Sequence, residues 1–314
     1  MSDKLKGNLM LLITAVIWGS AFVAQSDGMN YVGPFTYNGC RTLLGGIVLI
    51  PVIALLRGIS RKDGGSSAAD RKASLKTTIA GGIICGILFF FASMLQQYGI
   101  AMTTVGKAGF VTALYVVIVP LIGFIIYRKA SLKVWICCLI AIAGFYLLCI
   151  NEGFSISAGD LLVLLCAVLY ACHIMTVDHF NSKNADGTLM SCIQFFTAGT
   201  IMLICMLIIE KPDIDSILAA WLPICYGGIL SCGVAYTLQI IGQRYTDPTI
   251  ATLLMSLESV FAALSGWLLL NESLSLKELG GCALVFIAVI AAQVNIPLFR
   301  KKRVKKAETS ARNH

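Results

Sequence analysis

A chain of 314 residues that is 58% hydrophobic and only 13% charged, with a mean hydropathy of +0.85, lies far from the composition of soluble globular domains and belongs to the membrane class. Its net charge of +8 does not imply a nucleic-acid partner, because the cations cluster beside apolar runs and form no solvated basic face interleaved with aromatics. The 12 cysteines nearly all fall inside apolar runs, with no C-x-x-C and no His pairing, so they read as small apolar side chains; disulfides, metals and cofactors are not indicated.

Taken in order, the chain contains ten apolar segments, at roughly 7–26, 33–56, 77–98, 104–127, 132–150, 160–178, 188–209, 219–241, 248–270 and 277–296. Each has the length of a helix that crosses a hydrocarbon core of about 30 Å. The first is too long for a cleaved signal peptide, lacks an A-x-A-like site, and is kept as a span. The longest connection, Arg57 to Lys76, is polar and contains Gly64-Gly65-Ser66-Ser67, which predicts a flexible loop. Pro51, Pro120 and Pro223 fall inside spans, where a kink is expected. After Pro297 comes a basic tail, 298–314, with Arg300, Lys301, Lys302, Arg303, Lys305 and Lys306.

With the N-terminus on the cytoplasmic side, 20 of the 24 Lys and Arg residues fall on inner connections and termini, two on outer ones (Lys211, Lys277) and two within spans (Arg41, Lys107). The positive-inside rule therefore places both termini in the cytoplasm, which an even number of spans requires to share a side. The 179–187 connection carries little charge and constrains this topology least.

The second half of the chain repeats the first. Gly7-Asn8 and Ala15-Val16-Ile17-Trp18 align with Gly159-Asp160 and Ala167-Val168-Leu169-Tyr170 at an offset of 152, and Leu95-Gln96-Gln97-Tyr98-Gly99 with Leu238-Gln239-Ile240-Ile241-Gly242 at 143. Gly123 pairs with Gly266, and Leu132-Lys133 with Leu276-Lys277. Five is odd, so the second copy enters the membrane upside down. The expected fold is an all-α integral membrane protein of ten transmembrane helices arranged as two inverted five-helix repeats, 1–151 and 152–297, with a ligand site at the repeat interface near the midplane.

The polar residues that fall inside spans are the candidate site. From Pro248 to Leu270 the only ionisable side chain is Glu258, about 16 Å along the helix from Asp247 and so close to mid-membrane. A carboxyl at that depth lines a pathway, or is a protonated structural group bonded between helices. In repeat position it corresponds to Tyr115. Arg41 lies eight residues into its helix and either contacts substrate or snorkels outward, and Lys107, just past Thr103, is placed to snorkel. His173 shares a helical stripe with Tyr170 and Val177 and is a relay candidate or a neutral ring bonded to a neighbouring helix. Gln96 and Gln239 are repeat equivalents, as are Arg41 and Gln194 at an offset of 153; span amides bond either helices or ligands. Trp18, Tyr170 and Tyr236 either wall a pocket or pack helices.

The ninth-segment pattern Leu257-Glu258-Ser259-Val260 followed by Leu269-Leu270-Asn271-Glu272, the Gly159-Asp160-Leu161-Leu162 start of the sixth segment, Trp18-Gly19 and Arg41 together resemble the EamA-type, ten-helix branch of the drug/metabolite transporter superfamily over nearly the whole chain. In that family the ninth helix usually reads Leu-Glu-Pro-Val and ends Leu-Gly-Glu. Here Ser259 stands for the Pro and Asn271 for the Gly, which predicts a straighter helix near Glu258. The resemblance implies alternating-access transport of small polar metabolites such as amino acids or related compounds across the plasma membrane, often as export, with protons as a candidate coupling ion.

Gly106-Lys107-Ala108 is not a P-loop, since position 101 is Ala and Ala108 replaces the Ser/Thr, and there is no H-E-x-x-H or G-x-S-x-G. A channel filter or a ring of charge is also missing. The reading is a transporter and not an enzyme; the alternative class is a membrane-embedded enzyme or lipid-handling protein. Reporter fusions after Lys306 and within 62–70 are expected to read cytoplasmic, and fusions near 151–157 and 213–215 external; an external signal from the C-terminal fusion would overturn the ten-span topology.

Overall fold

The computed structural model describes residues 2–60, 68–102, 105–127, 132–149, 157–270 and 275–293. The expected loop at Gly64–Ser67 and the basic tail lie outside these residues. Among the described residues the regular structure is helical: α1 (Asp3–Gly28), α2 (Pro34–Ser60), α3 (Ala68–Ile100), α4 (Val105–Ala113 and Tyr115–Tyr127), α5 (Leu132–Cys149), α6 (Ala158–Ser182), α7 (Gly187–Glu210), α8 (Trp221–Gly242), α9 (Pro248–Met255 and Glu258–Leu270) and α10 (Leu276–Gln293). Eight of them are long and apolar enough to cross a membrane, and two shorter apolar helices, Leu132–Gly144 and Leu279–Ala291, lie within α5 and α10. Both α2 and α3 run into the polar 57–76 stretch, to Ser60 and from Ala68, so less of it is loop than its composition suggests.

The helix ends are written in the sequence. Ser157 and Asp160 form a reciprocal capping box on α6, with Asp160 N donating to Ser157 Oγ at 3.1 Å and Ser157 N to Asp160 Oδ2 at 2.8 Å. Asp186 caps α7, and Asp247 caps α9 with Pro248 in the first turn, where its missing N–H costs nothing. The start of α2 is capped from a distance: Phe35 N and Thr36 N donate to the Glu210 carboxylate at 2.8 and 2.7 Å, and Thr36 Oγ1 donates to it as well. The same carboxylate occupies the space a side chain on Gly33 would need.

Two spans are interrupted at equivalent points. The helix of α4 breaks at Leu114 and that of α9 at Ser256–Leu257, so Tyr115 and Glu258 each open a second half-helix. Prolines do not cause either break, since Pro51 and Pro120 lie inside continuous helix. In α4, Leu114 N bonds the Val111 carbonyl at 3.2 Å, a tightened i−3 turn. In α9, Leu257 N bonds Leu254 O and Ser259 N bonds Ser256 O in the same way. The hydroxyls of Ser256 and Ser259 donate back to the carbonyls of Leu253 and Ser256, at 2.9 and 2.8 Å. The absence of Pro therefore does not straighten α9 as the sequence pattern predicts, because hydroxyl back-bonding bends the helix instead.

The two halves pack as mirror roles. The pair α3·α6 corresponds to α8·α1, α2·α8 to α7·α3, and α4·α6 to α9·α1, while α2·α7, α4·α9 and α5·α10 each map onto themselves. The close approaches match residue by residue. A Cβ on Gly7 would lie 2.9 Å from the Gly242 carbonyl, and one on Gly159 would lie 3.1 Å from the Gly99 carbonyl. A Cβ on Gly228 would meet Arg41 O at 2.9 Å, and one on Gly86 would meet Gln194 O at 2.8 Å. Gly7 and Gly159, Gly99 and Gly242, and Arg41 and Gln194 are repeat positions aligned above, while Gly86 and Gly228 stand at an offset of 142. Two five-helix units exchanged by one two-fold operation run in opposite senses, which gives the inverted architecture.

The structure predicts a contrast between glycines. At Gly19, where α1 crosses α9, a Cβ would fall 2.6 Å from Glu258 O and 2.8 Å from Ala262 N, whereas at Gly123 nothing lies within 4 Å. Gly19→Ala should cost about 1–3 kcal/mol and lower the melting temperature of the detergent-solubilised protein by several degrees, while Gly123→Ala leaves it unchanged or raises it. Equal melting of the two variants would contradict the packing. Ser259→Pro removes both bonds that Ser259 makes to Ser256 O, from its N–H and its hydroxyl, and should lower the melting temperature while still folding, because position 259 lies in the first turn of a half-helix.

Candidate functional site

Where the half-helices meet, the seven helices α1, α2, α3, α4, α6, α8 and α9 line a central cavity of about 30 Å³, room for about two waters. Of the residues singled out from the sequence, Trp18, Arg41, Gln96, Tyr115, Tyr170, His173, Tyr236, Gln239 and Glu258 line it. Gln194 stands one layer behind, bonded through Oε1 to His173 Nε2 at 2.7 Å. Lys107 lies on α4, but its side chain is outside the described set.

Glu258 is 3% exposed, and its Oε1 accepts from the Tyr115 hydroxyl at 2.9 Å, so the residues that open the two half-helices touch. Arg41 is 2% exposed; it is turned into the protein and does not snorkel. Its Nε donates to Asn38 Oδ1 at 2.7 Å, its Cζ lies 5.4 Å from the centre of the Tyr37 ring, and Asn38 Nδ2 in turn donates to Ser93 O at 3.2 Å. Among the described residues the one ion pair is Lys6 with Asp3 at the surface, so Arg41 and Glu258 are buried on one cavity without pairing to each other or to another charge. An ionisable group buried in low dielectric is costly unless something compensates it, and a cavity lined by a guanidinium and a carboxyl offers a solute one partner of each kind.

Neutral side chains complete the lining. Tyr236 donates to the Tyr170 hydroxyl at 3.2 Å, Tyr170 donates to Gln96 Oε1 at 3.4 Å, and Gln96 Nε2 donates to Thr112 Oγ1 at 3.2 Å, a chain through α8, α6, α3 and α4. Trp18 packs against Tyr236 with ring centres 4.5 Å apart and the planes tilted by 55°. From α1, Trp18 Nε1 donates to Ser231 O at 3.4 Å and Thr14 Oγ1 to Ala235 O at 3.0 Å; both acceptors lie in the wide π-helical stretch Tyr226–Tyr236 of α8. Several buried polar atoms have no hydrogen-bond partner among the described residues: His173 Nδ1, Gln194 Nε2, Gln239 Oε1, Gln25 Oε1, Gln97 Oε1 and Thr42 Oγ1. Unpaired polar atoms of this kind gather where a ligand or water is to be bound.

The sequence reading missed Thr112, Gln25, Ser231 and Asn38. Asn38 had a usable signal, since it lies three residues before Arg41 and so on the same helical face. Thr112 bears the same relation to Tyr115. Ser231 had none, because the π-helical register of α8 shifts which residues face inward.

The sequence pattern of the EamA-like transporter family matches residues 5–150 and again 157–292. An uncharacterised transporter of Archaeoglobus fulgidus is 29% identical over 295 residues, covering 93% of this chain and 87% of its own length. The uncharacterised inner membrane transporter YedA of Escherichia coli is 26% identical over 301 residues, covering 92% and 91%. A solved crystal structure with 19% identity superposes with a TM-score of 0.73 over 94% of this chain and 97% of the other, which speaks to fold alone. The chain is a multi-pass membrane protein that belongs to the EamA-like transporter family.

Proposed function

We propose that this protein is a secondary transporter that carries a small zwitterionic metabolite, an amino acid or a related compound, outward across the plasma membrane by alternating access about the central cavity. The observation that carries the reading is the burial of Arg41 and Glu258 on one cavity with no ion pair between them. Arg41 takes the solute's carboxylate and Glu258, held by Tyr115, takes its ammonium group or a proton in its place. Trp18, Tyr170 and Tyr236 supply the aromatic wall for the apolar part. On this reading the solute enters as the two halves, 1–151 and 152–297, rock apart about the cavity. Both termini are cytoplasmic on this reading, in keeping with the cation asymmetry. The protein is read as a carrier and not an enzyme because the family and the relatives it resembles are named as transporters.

The test is counterflow in proteoliposomes loaded with a mixture of labelled amino acids, normalised to folded protein and run at several pH values. Wild type should exchange at least one of them saturably. Glu258→Gln keeps the shape and the Tyr115 hydrogen bond while removing the charge. It should cut flux tenfold or more and flatten its pH dependence, and Arg41→Gln should cut it similarly. Flux for Glu258→Gln equal to wild type across the pH range would refute the role of Glu258 and leave Arg41 and His173 as the residues to examine.

A further inference from the structure

Besides the central cavity, the protein has a polar groove of about 270 Å³ on the face where α1 begins, lined by Asp178, Asn181, Ser182, Asn184, Gln243 and Arg244. The groove and the cavity share a partition. Gln243 lines the groove and Gln239, one turn earlier on α8, lines the cavity. Across the partition Gln239 Nε2 donates to Gln243 Oε1 at 3.4 Å and Gln243 Nε2 donates to Ile174 O at 3.5 Å, two bonds at the limit of hydrogen-bond length. Resting on the transport reading, we infer that this groove is the cytoplasmic mouth of the pathway, that it admits a small solute bearing both charges, and that Gln239 is its gate residue, disengaged in this state and closed by Trp18 in the opposite one.

The repeat is what points to Gln239. Gln96 is its equivalent at the other end of the cavity, and both polar atoms of Gln96 are engaged across helices, Oε1 by Tyr170 on α6 and Nε2 with Thr112 on α4. Gln239 bonds only within its own helix, and its Oε1, in a residue 1% exposed, has no partner among the described residues. Through Gln96 the barrier on the far face is tied across three helices, whereas toward the groove Gln239 itself reaches no other helix and the ties there, from Gln243, Asn181 and Arg244, join α8 to α6 alone. When the two halves of an inverted repeat exchange conformations, each contact in one half is replaced by its counterpart in the other. The counterpart of Tyr170 is Trp18 and that of Gln96 is Gln239, so the bond from Tyr170 to Gln96 becomes one from Trp18 Nε1 to Gln239 Oε1. Both groups face the same cavity now, and Trp18 Nε1 is held only by a 3.4 Å bond to the Ser231 carbonyl. The unpaired oxygen of Gln239 is the acceptor left over when that latch is open. The mouth itself carries one charge of each sign, Asp178 and Arg244, as a zwitterion requires.

The experiment needs no known substrate. Ser231→Cys places a thiol on the cavity, and its modification by the impermeant cation 2-(trimethylammonium)ethyl methanethiosulfonate is followed by peptide mass in inside-out and right-side-out vesicles, with the unsubstituted protein as the blank for native cysteines. Trp18→Phe or Gln239→Leu in that background should raise the rate from the cytoplasmic face about fivefold to tenfold and lower it from the outer face, the size expected for one lost hydrogen bond. Tyr170→Phe or Gln96→Leu should do the reverse. Arg244→Glu should speed the cationic reagent severalfold from the cytoplasmic face only. Unchanged rates, a shift toward the outer face in Trp18→Phe and Gln239→Leu, or indifference to Arg244→Glu would overturn the assignment. If the rates move as stated while no amino acid is exchanged, the gate stands and the substrate reading falls; if amino acids are exchanged while the rates stay fixed, the substrate reading stands and the gate falls.

Discussion

Inside a bilayer no water is available to satisfy an exposed peptide group, so a helix can be interrupted only where protein covers the break. That constraint organises this molecule. The breaks at Leu114 and Ser256–Leu257 lie at equivalent points of the two repeats and are packed against each other, α4 on α9. Their freed groups are met locally, by tightened turns in both helices and by the hydroxyls of Ser256 and Ser259 in α9. A half-helix that starts at mid-membrane presents the positive end of its dipole there, and the first residue of that half-helix in α9 is Glu258. The carboxylate position, the Tyr115 contact and the cavity all follow from where the backbone is allowed to break.

Arg41 and Glu258 are held in the protein without a mutual ion pair, and this has an energetic consequence. Desolvating two charges separately costs several kcal/mol each, and partial compensation comes from neutral dipoles: Asn38 and the Tyr37 ring for Arg41, the Tyr115 hydroxyl for Glu258. Had the pair collapsed onto each other the site would be stable and useless for a charged solute. On the proposed reading, a solute that meets both groups is what makes closure of the loaded carrier favourable and closure of the empty one less so.

Much of this was legible in the sequence because membrane helices obey few rules. Ten apolar runs mark ten helices, and the offset of Gly7 to Gly159 and Gly99 to Gly242 marks the repeat, since glycine-mediated crossings tolerate no drift in register. A polar residue in hydrocarbon must face protein, so the intramembrane polar and aromatic residues make up most of the cavity lining. What stayed hidden depends on backbone detail. Ser259 suggested a straight helix because Pro is the familiar breaker, while hydroxyl back-bonding leaves no sequence signature of its own. The π-helical stretch of α8 shifts Ser231 inward in a way no 3.6-residue periodicity reports. The cap of α2 by Glu210 links residues far apart in the chain.

The scaffold and the site obey the repeat to different degrees, and the difference carries meaning. Positions that set helix approach are the same in both halves, as with Gly7 and Gly159 or Gly99 and Gly242. Positions that face the cavity are not: Glu258 stands opposite Tyr115, Trp18 opposite Tyr170, Arg41 opposite Gln194 and His173 opposite Ala21. On the proposed alternating-access reading, matched packing makes the two exchanged arrangements close in energy, because each replaces a set of contacts by its counterpart. A few kcal/mol from side chains then suffices to choose between them. In a molecule built this way the unmatched cavity residues are free to differ without breaking the fold, and they are the part of the chain through which a solute can act on the balance.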